Sequence, residues 1–209
     1  MSYNPNIHHR RSIRLKEYDY SQAGLYFVTI CCQNRIHRFG KIENDEMILN
    51  EYGRIGYEEW LKLSERFTNF ALDVFQIMPN HLHGIIMLTN TVGAGFTPAQ
   101  NTAPNAAPAP NADTQNEILI DDIGAGVNPA PTNITVGNMV GAYKSLVANK
   151  CLDIFKLKWA NVNPIPQMGK LWQRNYYEHI IRNEQSYHTI SNYIINNPSK
   201  WNDDKFFTN

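Results

Sequence analysis

The chain predicts an α+β fold, a split βαβ sandwich built on an antiparallel sheet with a further helix at the C-terminal end. Three observations predict it. Stretches rich in β-branched and aromatic residues alternate with stretches of helical apolar spacing, in the order strand–helix–strand–strand–helix–strand. Two of the strand-like stretches are separated only by Pro79-Asn80. A final amphipathic stretch runs into Pro198, which the preceding residues cannot pass in helical conformation.

"GLYFVTICCQN" (24–34) reads as the first strand. "ILNEYGRIGYEEWLKL" (48–63) places Leu49, Ile55, Trp60 and Leu63 at broadly helical spacing around a glutamate-rich middle, and predicts an amphipathic helix. "FALDVFQIM" (70–78) and "HLHGIIML" (81–88) read as two strands. Proline presets φ and asparagine favours turns, so the dipeptide between them predicts a tight hairpin. "TVGNMVGAYKSLVANKCL" (135–152) carries Val136, Met139, Val140, Tyr143, Val147 and Cys151 near one helical stripe. "GKLWQRNYYEHIIRN" (169–183) predicts a short strand and turn, and "EQSYHTISNYIINNPSKW" (184–201) a helix ending near Asn197. This order suits a ferredoxin-like, split βαβ sandwich.

With 209 residues the chain fits one domain over 1–209. Its composition changes sharply between about 89 and 133, where Ala, Pro, Asn, Thr and Gly dominate. Such a segment buries too little apolar surface to offset its ordering entropy, so a flexible low-complexity insertion is expected. Within it "GAGFTPA" is echoed by "GAGVNPA", a local duplication, and "EILIDDI" reads as a short strand or turn of helix.

The 19 basic and 19 acidic side chains cancel, so no global field points to a nucleic-acid partner. A local basic patch does exist in "HHRRSIRLK" (8–16), with Arg10, Arg11 and Arg14; it reads equally as a solvated arm or as a phosphate-contacting one. Cys31, Cys32 and Cys151 form no CxxC ladder, which suits a reducing cytoplasm. No apolar run approaches the roughly 20 residues that span a bilayer, and no membrane partner is expected.

The chemistry begins at "MPNHLHGIIML" (78–88). On a strand, residues i and i+2 project from one face with Cα atoms about 6.6 Å apart, so His81 and His83 can converge on one divalent ion while Leu82 packs behind. Two histidines leave such an ion short of ligands, and strand histidines also occupy ordinary surface and core positions. Near the C-terminus Tyr193 and Asn197 are spaced i, i+4 on one helical face, offering a hydroxyl and a carbonyl oxygen. They read equally as a half-buried aromatic and a helix stop.

Taken together, "MPNHLHGIIML", "LWQRNYYEHIIRNE", "YIINNPSKW" and the opening "RRSIRLKEYDYSQAGLYFVTICCQN" resemble the REP-associated tyrosine transposases, of the single-tyrosine HUH group of insertion-sequence type. HUH denotes histidine, a hydrophobic residue, histidine, as in His81-Leu82-His83. The resemblance covers the chain outside the 89–133 segment. It implies a ferredoxin-like core, His81, His83 and Asn197 as ligands of Mg²⁺ or Mn²⁺, and Tyr193 as the nucleophile on the C-terminal helix. It also implies cutting and rejoining of single-stranded DNA at hairpin-bearing ends (REP-like or transposon ends) through a 5′-phosphotyrosine link. Tyr176, Tyr177 and Tyr187 are rival tyrosines; the "YIxxNP" context favours Tyr193. Arg10, Arg11, Arg14, Lys144, Arg174 and Arg182 are candidate phosphate contacts, and Trp172, Tyr176 and Tyr177 candidate base-stacking platforms. A hairpin-binding module without cleavage, and a hydrolase using water, are the alternatives. Monomer and homodimer are both open.

Overall fold

The computed structural model describes residues 18–89 and 134–208. Arg10, Arg11, Arg14 and all of the low-complexity segment except Thr89 lie outside the described residues.

Strand β1 (Gly24–Cys31) opens the fold, and a short hairpin of β2 (Gly40–Glu43) and β3 (Glu46–Leu49) follows. Helices α1 (Glu51–Leu61) and α2 (Leu63–Arg66) lead to β4 (Phe70–Met78) and β5 (His81–Leu88). Helix α3 (Val136–Lys158), β6 (Tyr177–Ile181) and α4 (Glu184–Ile195) complete the order. The main sheet runs β4-β5-β1-β6 with every neighbour antiparallel. Each crossover thus skips one strand, as the split βαβ reading requires.

Alternation of side chains divides the work of the sheet. Tyr26, Val28 and Ile30 of β1 and Leu82, Ile86 and Leu88 of β5 face one large core with Trp60 and the α3 residues Val136, Met139, Val140, Tyr143, Val147 and Cys151. All six positions of the predicted stripe are buried. Gly84 is the contact point: a Cβ there would sit 2.5 Å from the Trp60 indole and 3.3 Å from Phe75 Cβ. On the opposite face Phe27, Val74, Ile85 and Ile181 pack against Ile194 of α4, with Tyr187 and Ile190 alongside. Buried Glu59 receives Lys150 from α3 at 2.6 Å and Arg66 from α2 at 2.8 Å, cross-linking the helical layer.

Several boundaries differ from expectation. Ile48 and Leu49 belong to β3, and helix α1 begins only after Asn50, whose side chain accepts from Gly53 N. Helix α3 continues to Lys158 beyond the expected 152, started by a reciprocal Thr135–Asn138 capping box. Helix α4 stops at Ile195, so Asn197 lies in the turn that follows and not on the helix itself. No helix among the described residues is long and apolar enough to cross a membrane.

Candidate active site

The α4-side face of the sheet holds the two histidines. In register, Cys31 stands opposite His81 and Thr29 opposite His83, so both imidazoles rise beside the odd-numbered residues of β1. Their rings lie 4.4 Å apart, centre to centre, and both are fully buried. Phe27 stacks on His83 at 5.4 Å, while Phe206 and Trp201 of the C-terminal segment cover His81 at 4.6 and 6.0 Å.

Each imidazole is oriented through its Nδ1. His81 Nδ1 bonds Asn80 Oδ1 at 2.8 Å, and His83 Nδ1 bonds Thr29 Oγ1 at 2.8 Å. Asn80 has no lone pair to spare on its amide nitrogen, which donates to Phe206 O and Arg35 O, so its oxygen receives the His81 proton. His81 Nε2 then carries a lone pair, buried and without a partner among the described residues.

Tyr193 reaches into the same place from α4. Its hydroxyl lies 3.0 Å from His83 Nε2 and 3.0 Å from Asp204 Oδ2. Asn197 Nδ2 donates to the same carboxylate oxygen at 2.8 Å, while Asn197 Oδ1 is buried with no partner among the described residues. A neutral His83 with its proton on Nε2 satisfies the whole chain of bonds. Thr29 donates to His83 Nδ1, His83 Nε2–H donates to the tyrosine oxygen, and the tyrosine proton points to Asp204.

Burial sets the electrostatics. It drives the His83 pKa well below the ordinary histidine value, with the neighbouring His81 adding to the effect. Burial likewise holds His81 down, partly opposed by the negative charge of Asp204. Both rings are therefore neutral, the form that ligates metals. The Tyr193 hydroxyl is pushed up, first by burial and then by the Asp204 charge, so it keeps its proton in the absence of a cation.

The donor set fits a divalent ion. Ligand atoms of His81, His83 and Asp204 all lie within 4.8 Å of one another, and the orphaned Asn197 oxygen and His81 Nε2 are buried lone pairs of the kind an ion would satisfy. Imidazole nitrogens together with carboxylate and amide oxygens form a mixed donor set of the kind that holds divalent ions.

The expected His81, His83, Tyr193 and Asn197 are thus brought together. One other candidate is not available for its expected role. Trp172 is in the core, its ring against Phe39 and Tyr143 and its Nε1 donating to Lys144 O, so neither face can take a base. The Lys144 ammonium is engaged by the carbonyls of Gln173 and Arg174 at 2.6 and 3.0 Å, which ties α3 to the segment before β6. Arg174 and Arg182 are exposed on either side of β6. Of the rival tyrosines, Tyr187 donates to Asp73 and Tyr176 packs on the core. Sequence reasoning missed Thr29, Asn80 and Asp204. Asn80 had a signal in its place beside the histidines, whereas Asp204 in "WNDDKFF" had none.

Fold and site together define a ferredoxin-like domain carrying a histidine pair, a tyrosine and polar oxygen donors in one buried cluster. The chain is 40% identical over 206 residues to an uncharacterized protein of Haemophilus influenzae, covering 98% of this chain and 97% of that one, and the two belong to one family. No family model matches the chain. Among solved structures the fold resembles that of a REP-associated tyrosine transposase bound to a REP hairpin, with 17% identity, a TM-score of 0.50, and coverage of 90% of this chain and 74% of that one. A putative transposase of Deinococcus radiodurans also matches, with 14% identity and a TM-score of 0.40 over 88% of this chain and 95% of that one.

Proposed function

We propose that this protein is a single-strand DNA transposase of the REP-associated tyrosine group, cutting and rejoining hairpin-bearing ends through Tyr193. The observation that carries the reading is the Tyr193 hydroxyl, 3.0 Å from both His83 Nε2 and Asp204 Oδ2, beside the buried His81–His83 pair.

The phenolic oxygen attacks a backbone phosphorus in line as its proton passes to the Asp204 carboxylate. A P–O bond forms to Tyr193 and the P–O3′ bond breaks, leaving a 5′-phosphotyrosine and, after protonation, a free 3′-OH. The phosphodiester energy is kept in the new ester, so another strand's 3′-OH can attack it and release the tyrosine. A Mg²⁺ or Mn²⁺ ion held by His81, His83, Asn197 and Asp204 would supply Lewis-acid neutralisation of the phosphate charge. Asn80 fixes the His81 tautomer and ring angle; Thr29 holds the His83 ring through Nδ1, and would accept the Nδ1 proton when Nε2 serves an ion instead of donating to Tyr193. Exposed Arg174 and Arg182, with Arg10, Arg11 and Arg14 of the basic N-terminal stretch, would contact phosphates.

The test is incubation with hairpin oligonucleotides bearing single-stranded flanks and Mn²⁺, followed by denaturing electrophoresis. The expected product is a covalent adduct that Tyr193→Phe abolishes. An adduct undiminished in Tyr193→Phe would refute the assignment of the nucleophile, and cleavage without an adduct would favour water as the attacking group.

A further inference from the structure

We infer that the cleft between β6 and the first turns of α4 holds one unpaired base of the DNA strand, stacked on Tyr177, beside the phosphate that Tyr193 attacks. The inference rests on the transposase reading above and adds to it a specificity pocket of the protein's own.

Register places this cleft next to the site. Residues facing one another across antiparallel strands share a face. His83, Thr29 and Tyr177 therefore stand in one row across β5, β1 and β6, and Ile85, Phe27 and His179 in the next. With strands spaced about 4.8 Å apart, Tyr177 is roughly 10 Å from His83 along its row. Phe27 joins the two places: its ring stacks on His83, meets Tyr193 edge-on at 6.3 Å and meets Tyr177 edge-on at 6.2 Å. Along α4 the cleft ends at Ile190, less than one turn, about 4.5 Å of rise, before Tyr193.

The lining suits a nucleobase. The cleft has a volume of about 450 Å³, within the size range of small-molecule sites. Phe27, Tyr177 and Ile190 form its apolar wall, and His179, Gln185 and Ser186 supply hydrogen-bonding groups around the rim. No lining residue carries a carboxylate, so nothing there repels a phosphodiester. Tyr177 is 43% exposed although it sits on a strand of the main sheet, and Lys205 Nζ stands over its ring, 5.5 Å from the centre. An exposed aromatic residue paired with a lysine ammonium combines the stacking group and the positive charge that single-strand sites use for a base and its phosphate. The N-terminal end of α4 lines the same cleft and adds the positive end of its dipole.

The experiment measures binding by fluorescence anisotropy in EDTA, so that no cleavage intervenes. The probe is a labelled DNA hairpin with a single-stranded thymidine extension, together with versions in which one base at a time is replaced by an abasic site. Wild-type protein should lose about tenfold in affinity at one abasic position, in line with base–aromatic stacking. Tyr177→Ala should lose a similar factor on the intact probe and become indifferent to that position, while Tyr177→Phe stays near wild type. His179→Ala, with the ring platform intact, should keep the abasic profile and change the preference among bases at that position. Thermal melting of each variant confirms the fold. A flat abasic profile in a wild-type protein that binds the hairpin and forms the Tyr193 adduct overturns the cleft alone. So does a Tyr177→Ala protein that keeps the wild-type profile. Failure to bind any hairpin or to form an adduct overturns the transposase reading and the cleft with it.

Discussion

Replacing Asn80 by alanine tests whether the histidine site is organised from the hairpin turn. Asn80 is fully buried, and its side chain receives His81 Nδ1–H at 2.8 Å while donating to Phe206 O at 2.8 Å and Arg35 O at 3.2 Å. Alanine leaves a buried imidazole N–H and the Phe206 carbonyl without their partner, while Arg35 O keeps the Thr208 hydroxyl at 3.3 Å. Each buried polar group left unsatisfied costs about 1–3 kcal/mol. Phe206 is only part-buried and its carbonyl recovers part of this from water, so the expected loss is about 2–4 kcal/mol. The second effect is on the metal. With Nδ1 released, His81 is free to change tautomer and ring angle, and loss of such an orienting bond typically weakens metal affinity by about 10–100-fold. Urea denaturation of the chelated protein measures the first effect, and Mn²⁺ titration by calorimetry the second. Asn80→Asp keeps the acceptor for His81 and should recover metal affinity better than stability, because it cannot donate to the two carbonyls. Refutation would be Asn80→Ala with an unchanged urea midpoint and an unchanged Mn²⁺ isotherm.

Other substitutions and conditions test the remaining parts of the argument. Gly84→Ala forces a methyl into the Trp60 indole and should lower stability by about 1–3 kcal/mol, read as a fall in Tm; an unchanged Tm would show that Trp60 yields freely. Trp172→Ala should cost about 3–5 kcal/mol of stability because the ring is core, and measured DNA affinity of the folded fraction should not change. Chelated protein should lose stability on acidification: both imidazoles are held neutral in the fold by burial, so below about pH 6.5 the unfolded chain binds protons that the native state does not. The loss reaches about 1.4 kcal/mol per pH unit for each histidine until its folded pKa is passed, and His81→Gln should reduce the slope of urea-derived stability against pH accordingly. Saturating Mn²⁺ should raise Tm, by the equivalent of about 2.7 kcal/mol at a hundredfold excess over Kd, and His83→Ala should remove the shift.

The large elements were legible because their signals are local. The α3 stripe is a one-dimensional pattern, and every member of it is buried. Pro79-Asn80 between two apolar runs announced the β4–β5 hairpin, which forms with Met78 opposite His81. The β2–β3 hairpin also had a signal that the helical reading of 48–63 obscured. "KIENDEMIL" places Asn44 and Asp45 at its turn, and both adopt the left-handed conformation with φ of 51° and 65° that these residue types tolerate. The misreading of Trp172 has a different origin. A residue type states what a side chain can do, not which way it faces, and the isolated bridge between Cys32 and Trp172 turns that segment inward. Asp204 illustrates the limit more sharply. Its partner Tyr193 is eleven residues away, beyond any helical or strand period, across the turns that follow α4.

Those turns explain why the site needs the end of the chain. The strand pair can present two imidazole nitrogens but no anion, since the positions facing them on β1 are Thr29 and Cys31 and the same row of β4 offers Gln76 and Met78. Helix α4 brings a phenol but no carboxylate to that point. Only after Pro198, where the α-helix has ended, can the backbone turn back over the sheet and return Asp204 beside Tyr193 and Asn197. The return is held by Phe206 N on Asp204 Oδ1 at 2.6 Å, by Asn80 on Phe206 O and by Arg35 on Lys205 O. The same asparagine that orients His81 therefore also anchors the segment carrying the carboxylate. Asn80→Ala should accordingly affect Tyr193 as well. With Asp204 less firmly held, adduct formation in saturating Mn²⁺ should fall further than metal affinity alone accounts for. If saturation with Mn²⁺ restores the wild-type rate in full, Asn80 acts on His81 only and the two halves of the site are independent.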